Sequence, residues 1–153
     1  DREQLRQTVW QFLPLTHILK LSDEELPFLT GTEDIEAALP RLFTGDVQLV
    51  LYTCGSKGAR AYTRTASAHA RSPKVAAVDT TGAGDGFIGS FLWQLQRDGV
   101  TAAELAKLSR KHLTEYLIFS NRFCAISVQH HGAIDSYPTL AQMEQPEADF
   151  SLP

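Results

Sequence analysis

The chain has 153 residues, 43% of them hydrophobic and 21% charged, which is one globular domain's worth of chain with a sizeable core to bury. Its net charge of −4 argues against a nucleic-acid platform, whose surface would carry a basic stripe. The longest apolar runs, such as Val47 to Tyr52, are too short to span a bilayer, no export signal is visible, and two cysteines without metal spacing fit a reduced, cytoplasmic compartment.

Asp1 stands where a methionine would, and a helical pattern begins at once, so a piece of a longer or processed polypeptide is expected. Leu5, Val9, Phe12 and Leu13 recur near helical spacing, with acids early as the helix dipole prefers, until Pro14 stops the run. Residues 16–22 read as a short buried strand ending near Lys20. Ser22 is then an N-cap candidate with acids in the first turn behind it, and Gly31 closes that helix. Another helical pattern fills 32–43. The segment 47–55 is strand-like and mostly apolar, so it should be covered on both faces. Further extended runs follow over 56–65 and 66–73. A turn at 79–84 opens a helix from about Gly84 to Arg97, ended by Gly99. Thr101, with Glu104 at capping-box distance, opens a long helical pattern reaching about Gln129. The remainder is turn-rich and ends in a polar tail. Strands alternating with helices predict an α/β sheet with helices on its faces. Trp10, Trp93, Cys54 and Cys124 are assigned to packing.

The segment Asp79-Thr-Thr-Gly-Ala-Gly-Asp85 carries the chemistry. Gly82 and Gly84 allow backbone conformations and close approach that a side chain would forbid. Several peptide N–H groups can then converge at the start of a helix, where unpaired donors and the dipole attract anions. Asp85 adds a carboxylate beside them. A donor nest plus a carboxylate suits phosphoryl transfer, with the N–H groups steadying charge and the carboxylate accepting a proton. The same pattern also fits a carboxylate that caps a helix after a tight turn. A P-loop is excluded because no Lys-Ser or Lys-Thr follows the last glycine, and a dinucleotide fingerprint would need glycine at Phe87.

The stretch Asp79 to Phe91 closely resembles the C-terminal signature of the PfkB (ribokinase-like) carbohydrate kinases. Residues 20–26 and 55–59 match further family segments in the expected order, and the first of these looks most like fructokinases. The resemblance implies a ribokinase-like three-layer α/β/α fold, of which residues 1–153 would be the C-terminal portion of a mainly parallel sheet with helices on both faces. The N-terminal half, which supplies most sugar contacts and a lid, would be missing. The implied activity is ATP-dependent phosphorylation of a primary hydroxyl, with fructose as first acceptor and aminoimidazole riboside as second. A nucleotide-binding fragment inactive on its own is the non-enzymatic alternative. Implied partners are a small sugar and, in the complete protein, a second copy as homodimer, with no nucleic acid and no membrane.

By that resemblance Asp85 is the catalytic base, and the Gly82, Ala83 and Gly84 backbone forms the anion hole. Gly86 stands where the family more often has Ala, Ser or Thr. Thr53, Gly55, Ser56, Lys57 and Gly58 would line the nucleotide, although Lys57 also reads as a plain surface lysine. Ser22 replaces the family's Asn, and Glu25 would organise Mg²⁺ through its waters. From the residues alone, Glu25 is a first-turn acid favoured by the dipole. Asp79 and the Thr81 carbonyl would hold a monovalent cation, K⁺, completed by carbonyls of Ser127, His130 and Gly132 and the Ser136 hydroxyl. Asn121 would lie beside the adenine, or serve as an exposed helix Asn. Adjacent His130 and His131 lack a third ligand for zinc.

Overall fold

The computed structural model of the chain describes residues 1–145; the expected polar tail, 146–153, lies outside them. Four strands form one sheet in the order β1 (Ile18–Ser22), β2 (Leu49–Thr53), β3 (Ala59–Tyr62), β4 (Ser67–Ala70). β1 and β2 are parallel, with Ile18 opposite Leu49 and Ser22 opposite Thr53. Parallel neighbours require a crossover, which α2 (Glu25–Thr30) and α3 (Ile35–Leu42) supply. The connections 54–58 and 63–66 are too short to cross over, so β2–β3 and β3–β4 pair antiparallel. The expectation of a mainly parallel sheet therefore holds for β1–β2 alone, and the sheet described here is mixed.

β2 is buried from Leu49 to Tyr52 because both of its faces are covered. Leu49 and Leu51 face a layer made by α4 (Ala83–Arg97) and α5 (Arg110–Ser127), whose Phe87, Phe91, Leu113 and Leu117 press on them and on the alanines of β3 and β4. Val50 and Tyr52 face the opposite layer, where Leu26, Leu29, Ile35 and Leu42 of α2 and α3 meet Leu13. Each fully buried side chain of this kind contributes about 1.5–3 kcal/mol, so the two apolar faces fix the three-layer α/β/α arrangement. Helix α1 (Arg2–Phe12) sits at the edge of the second layer through Val9 and Trp10, and its Leu5 and Phe12 stay exposed, against the apolar spacing that grouped them.

The single helix expected after Thr101 is two elements. The Thr101–Glu104 capping box is formed, but it opens a 3-10 turn over Ala102–Lys107. Leu108 then adopts extended backbone, and Ser109 recaps the chain by accepting from the His112 N–H. The break lets α5 fold back on α4, where the buried Gln94 amide donates to the carbonyls of Ser90 and Tyr116. No helix among the described residues is long and apolar enough to cross a membrane.

Candidate active site

Because β1 and β2 are parallel, the loops at their carboxyl ends lie on the same edge of the sheet, facing the start of α4. A cavity of about 620 Å³ opens there. It draws on three segments distant in sequence: Ser22, Asp23 and Glu24 at the end of β1; Thr53, Gly55, Ser56 and Gly58 at the end of β2; and Thr80, Ala83 and Gly84 at α4. Asn121 and Cys124 of α5 form part of its wall. Of the expected nucleotide residues only Lys57 is outside this lining, and it is exposed.

Each loop has a local reason for its shape. After β2 a 3-10 turn over Gly55–Lys57 returns the chain at Gly58, where φ is +99° and a β-carbon would fall 2.1 Å from the Ala70 carbonyl. Only glycine fits. After β1, Ser22 and Glu25 cap each other: the Glu25 N–H donates to Ser22 Oγ at 3.1 Å, and the Ser22 N–H donates to Glu25 Oε2 at 2.7 Å. Glu25 Oε2 also meets Lys20 Nζ at 3.4 Å, and the Ser22 N–H and Lys20 together hold its carboxyl below the ordinary value against a desolvation that pushes the other way. Asn121 is buried, and its amide donates to the carbonyls of Ala70 and Arg71 at 2.9 and 3.3 Å. It therefore ties α5 to the end of β4 while bordering the cavity, and is not the exposed helix residue of the alternative reading.

At the start of α4, Gly82 has φ +76°, and its β-carbon would lie 2.7 Å from that of Ala133. Gly84 has ordinary helical backbone, so its value is close approach alone. The Ala83 N–H is spent on the Thr80 carbonyl at 3.1 Å, which turns that expected anion-hole donor inward. The N–H groups of Gly84 and Asp85 find no acceptor among the described residues, as the first donors of a helix do not. Asp85 itself is exposed and borders a second cavity of about 340 Å³, with Tyr137 and Phe123, on the other side of the helix start from the first. A ligand on the free N–H groups would thus have the cavity on one flank and a carboxylate on the other.

Asp79 links this turn to the loop that follows α5. Its Oδ1 accepts from the Thr81 N–H at 2.9 Å and its Oδ2 from the Gly132 N–H at 3.0 Å. Those bonds, Gly132 first, hold its carboxyl down at about 2. Val128 accepts from the N–H groups of both Val78 and Asp79. Asp79 is thereby joined to Thr81 and Gly132 of the expected cation ligands through their N–H groups, whereas the Ser136 hydroxyl is bonded to Ser127 Oγ and to the Ala133 carbonyl, each at 2.7 Å. The Ser127 carbonyl accepts from the His130 N–H. No cluster of three or more His, Cys, Asp or Glu suited to a metal occurs among the described residues.

Three features escaped the sequence reading. Lys20 reaches from β1 to the start of α4, where a β-carbon at position 84 would stand 3.3 Å from its Nζ. Tyr137 donates its hydroxyl to the Gly82 carbonyl at 2.8 Å. Residues 72–75 and 77, which hold no regular structure, close one side of the larger cavity. None has a local signature, since each acts across the fold.

The sequence matches the pfkB family carbohydrate kinase pattern over residues 1–140. It is 35% identical over 146 residues to fructokinase-1 of Zea mays, an alignment covering 95% of this chain and 44% of that protein. The crystal structure of a fructokinase with bound ATP from Xylella fastidiosa superposes with a TM-score of 0.83 at 30% identity, covering 90% of this chain and 44% of the other. Aminoimidazole riboside kinase from Salmonella enterica, complexed with aminoimidazole riboside and an ATP analogue, gives 0.73 at 27% identity, covering 94% and 46%. The chain spans less than half the length of these relatives.

Proposed function

The chain belongs to the pfkB family of carbohydrate kinases, and on that premise we propose that it supplies the nucleotide-binding and proton-accepting part of an ATP-dependent sugar kinase that converts D-fructose to fructose 6-phosphate. The observation that carries this reading is the convergence of the loops after β1 and β2 with Thr80, Ala83 and Gly84 on one cavity at the start of α4, with Asp85 on its far flank. The acceptor half of the site belongs to a part of the protein outside these residues.

ATP fills the larger cavity with its terminal phosphates toward the N–H groups of Gly84 and Asp85 and the Lys20 ammonium. Such donors act where charge builds in a loose phosphoryl transfer. Asp85 Oδ accepts the proton of the sugar hydroxyl as its oxygen bonds to the γ-phosphorus. The bond from that phosphorus to the β-γ bridging oxygen breaks, and ADP leaves with the electron pair. Magnesium, when bound, neutralises polyphosphate charge. Glu25 stands outside the cavity lining, so it would reach the ion only through its hydration shell, with Oε1 left for that because Ser22 and Lys20 engage Oε2 alone. For potassium the fit is partial: Asp79 and the 127–136 loop meet, but the Ser136 hydroxyl is committed elsewhere, so the mechanism uses no step through that ion. Fructose is preferred to aminoimidazole riboside because relatives at 35% identity, fructokinase-1 of Zea mays among them, are fructokinases.

The test is a coupled assay of the complete protein with MgATP and each of fructose, ribose and aminoimidazole riboside, with and without KCl. Fructose should give the highest kcat/KM. Asp85→Asn should keep ATP affinity and lose about 10²–10⁴-fold in kcat. Absence of phosphorylation on every sugar rejects the kinase reading, and equal turnover in the variant rejects Asp85 as the base.

A further inference from the structure

Resting on that kinase reading, we propose that Tyr137 is a positioning residue for phosphoryl transfer, whose hydroxyl clamps the Gly82 peptide and so aims the free N–H groups of Gly84 and Asp85. The Gly82 carbonyl receives two donors, the Tyr137 hydroxyl and the Gly86 N–H, each at 2.8 Å. The second is the first hydrogen bond of α4. A carbonyl so held cannot rotate, and the left-handed backbone of Gly82 is what turns it toward Tyr137. The orientation of the next two peptides follows from it, because they continue directly into the helix.

The ring is seated as firmly as the hydroxyl. Position 86 lacks a side chain where one would strike it: a β-carbon there would be 3.1 Å from Cε1 of Tyr137 and 3.1 Å from Cε1 of Phe123. The two rings pack with centroids 5.3 Å apart. Glycine at 86 is thus the space that Tyr137 occupies. The loop carrying Tyr137 grips the turn at a second point, through the Gly132 N–H on Asp79 Oδ2, and is braced within by Ser136 on Ser127 and Ala133. Turn and loop form one unit with the clamp at its centre.

Tyr137→Phe keeps the ring and deletes the donor. In the complete protein it should lower kcat about 10-fold, the worth of one well-placed hydrogen bond, with KM for fructose within twofold of the parent. Affinity for ADP with aluminium fluoride, which mimics the moving phosphoryl group, should fall by the same factor, while affinity for ADP alone stays. Parallel loss of both affinities and of Tm assigns the hydroxyl to stability and overturns the proposal. So does parental kcat in the variant when the parent is active. A parent inactive on all sugars instead overturns the kinase reading beneath it.

Discussion

Lys20 brings a positive charge to the point where α4 begins, with Nζ 3.4 Å from Glu25 Oε2 and its side chain 21% exposed. A phosphate at Gly84 would meet an ammonium only partly screened by water. Its ion pair with the exposed Glu25 contributes little by itself, so the lysine's main effect should be on ATP. A charge-assisted contact of about 1.5–3 kcal/mol corresponds to about 10–100-fold, which is the expected fall in kcat/KM for ATP in Lys20→Ala. Tm should move little, and unchanged ATP kinetics would leave Lys20 as a partner of Glu25 only. The turn at Gly82 was legible because it is local: neighbouring residues make it, and their order is its signature. Lys20 and Tyr137 were not, because they reach the turn through the fold, Tyr137 from 55 residues away. Ala83 shows the opposite limit, since a motif names the residue but not which way its N–H points.

Within α4, two glycines of equal propensity have opposite surroundings. A β-carbon at 89 meets nothing within 4 Å, whereas one at 86 meets Phe123 and Tyr137 at 3.1 Å. Helix propensity alone favours alanine at both by about 0.5–1 kcal/mol. Gly89→Ala should therefore stabilise by that amount and raise Tm by a few degrees. Gly86→Ala should destabilise by about 1–3 kcal/mol, because overpacking two aromatic rings outweighs propensity. Differential scanning calorimetry of both variants decides it, and equal signs would mean that the rings yield freely. Helix starts were readable for the same local reason as the turn: the Thr101–Glu104 box and the Ser22–Glu25 pair are both formed. What the Thr101 box opens was not readable. After Thr101 it is a 3-10 turn that breaks at Leu108, where the buried leucine side chain draws the chain back toward the α4–α5 core. Strand direction was misjudged for the β3 and β4 part of the sheet, since apolar runs report burial and only connection length reports direction.

Across the molecule, shifted carboxyls tie segments distant in sequence to one another, so stability should depend on pH in a bounded way. Asp79 and Asp98 are both held down from 3.8 to about 2, Asp79 first by the Gly132 N–H and Asp98 first by the Arg97 guanidinium, then by the Tyr116 hydroxyl. In the unfolded chain these carboxyls bind protons first. Their contribution is therefore complete above 3.8 and is lost as pH falls from there through about 2. On the alkaline side burial raises Tyr52 and Tyr116 from 10.0 to about 12, and Cys124 from 9.0 to about 12. Here the unfolded chain releases protons first, so stability declines from the thiol's ordinary 9.0 upward. Urea midpoints should form a plateau between these limits. The acid limb should open at one place before the rest, because Asp79 fastens the segment entering α4 to the loop at Gly132, whereas Asp98 and Tyr116 join helices that also share an apolar core. Hydrogen exchange at pH 3 should accordingly rise at 130–137 ahead of α5. Asp79→Asn should flatten the acid limb and expose that loop at neutral pH. Midpoints that hold constant from pH 4 to 2, or exchange that rises everywhere together, would show that the Asp79 bonds do not fasten the loop.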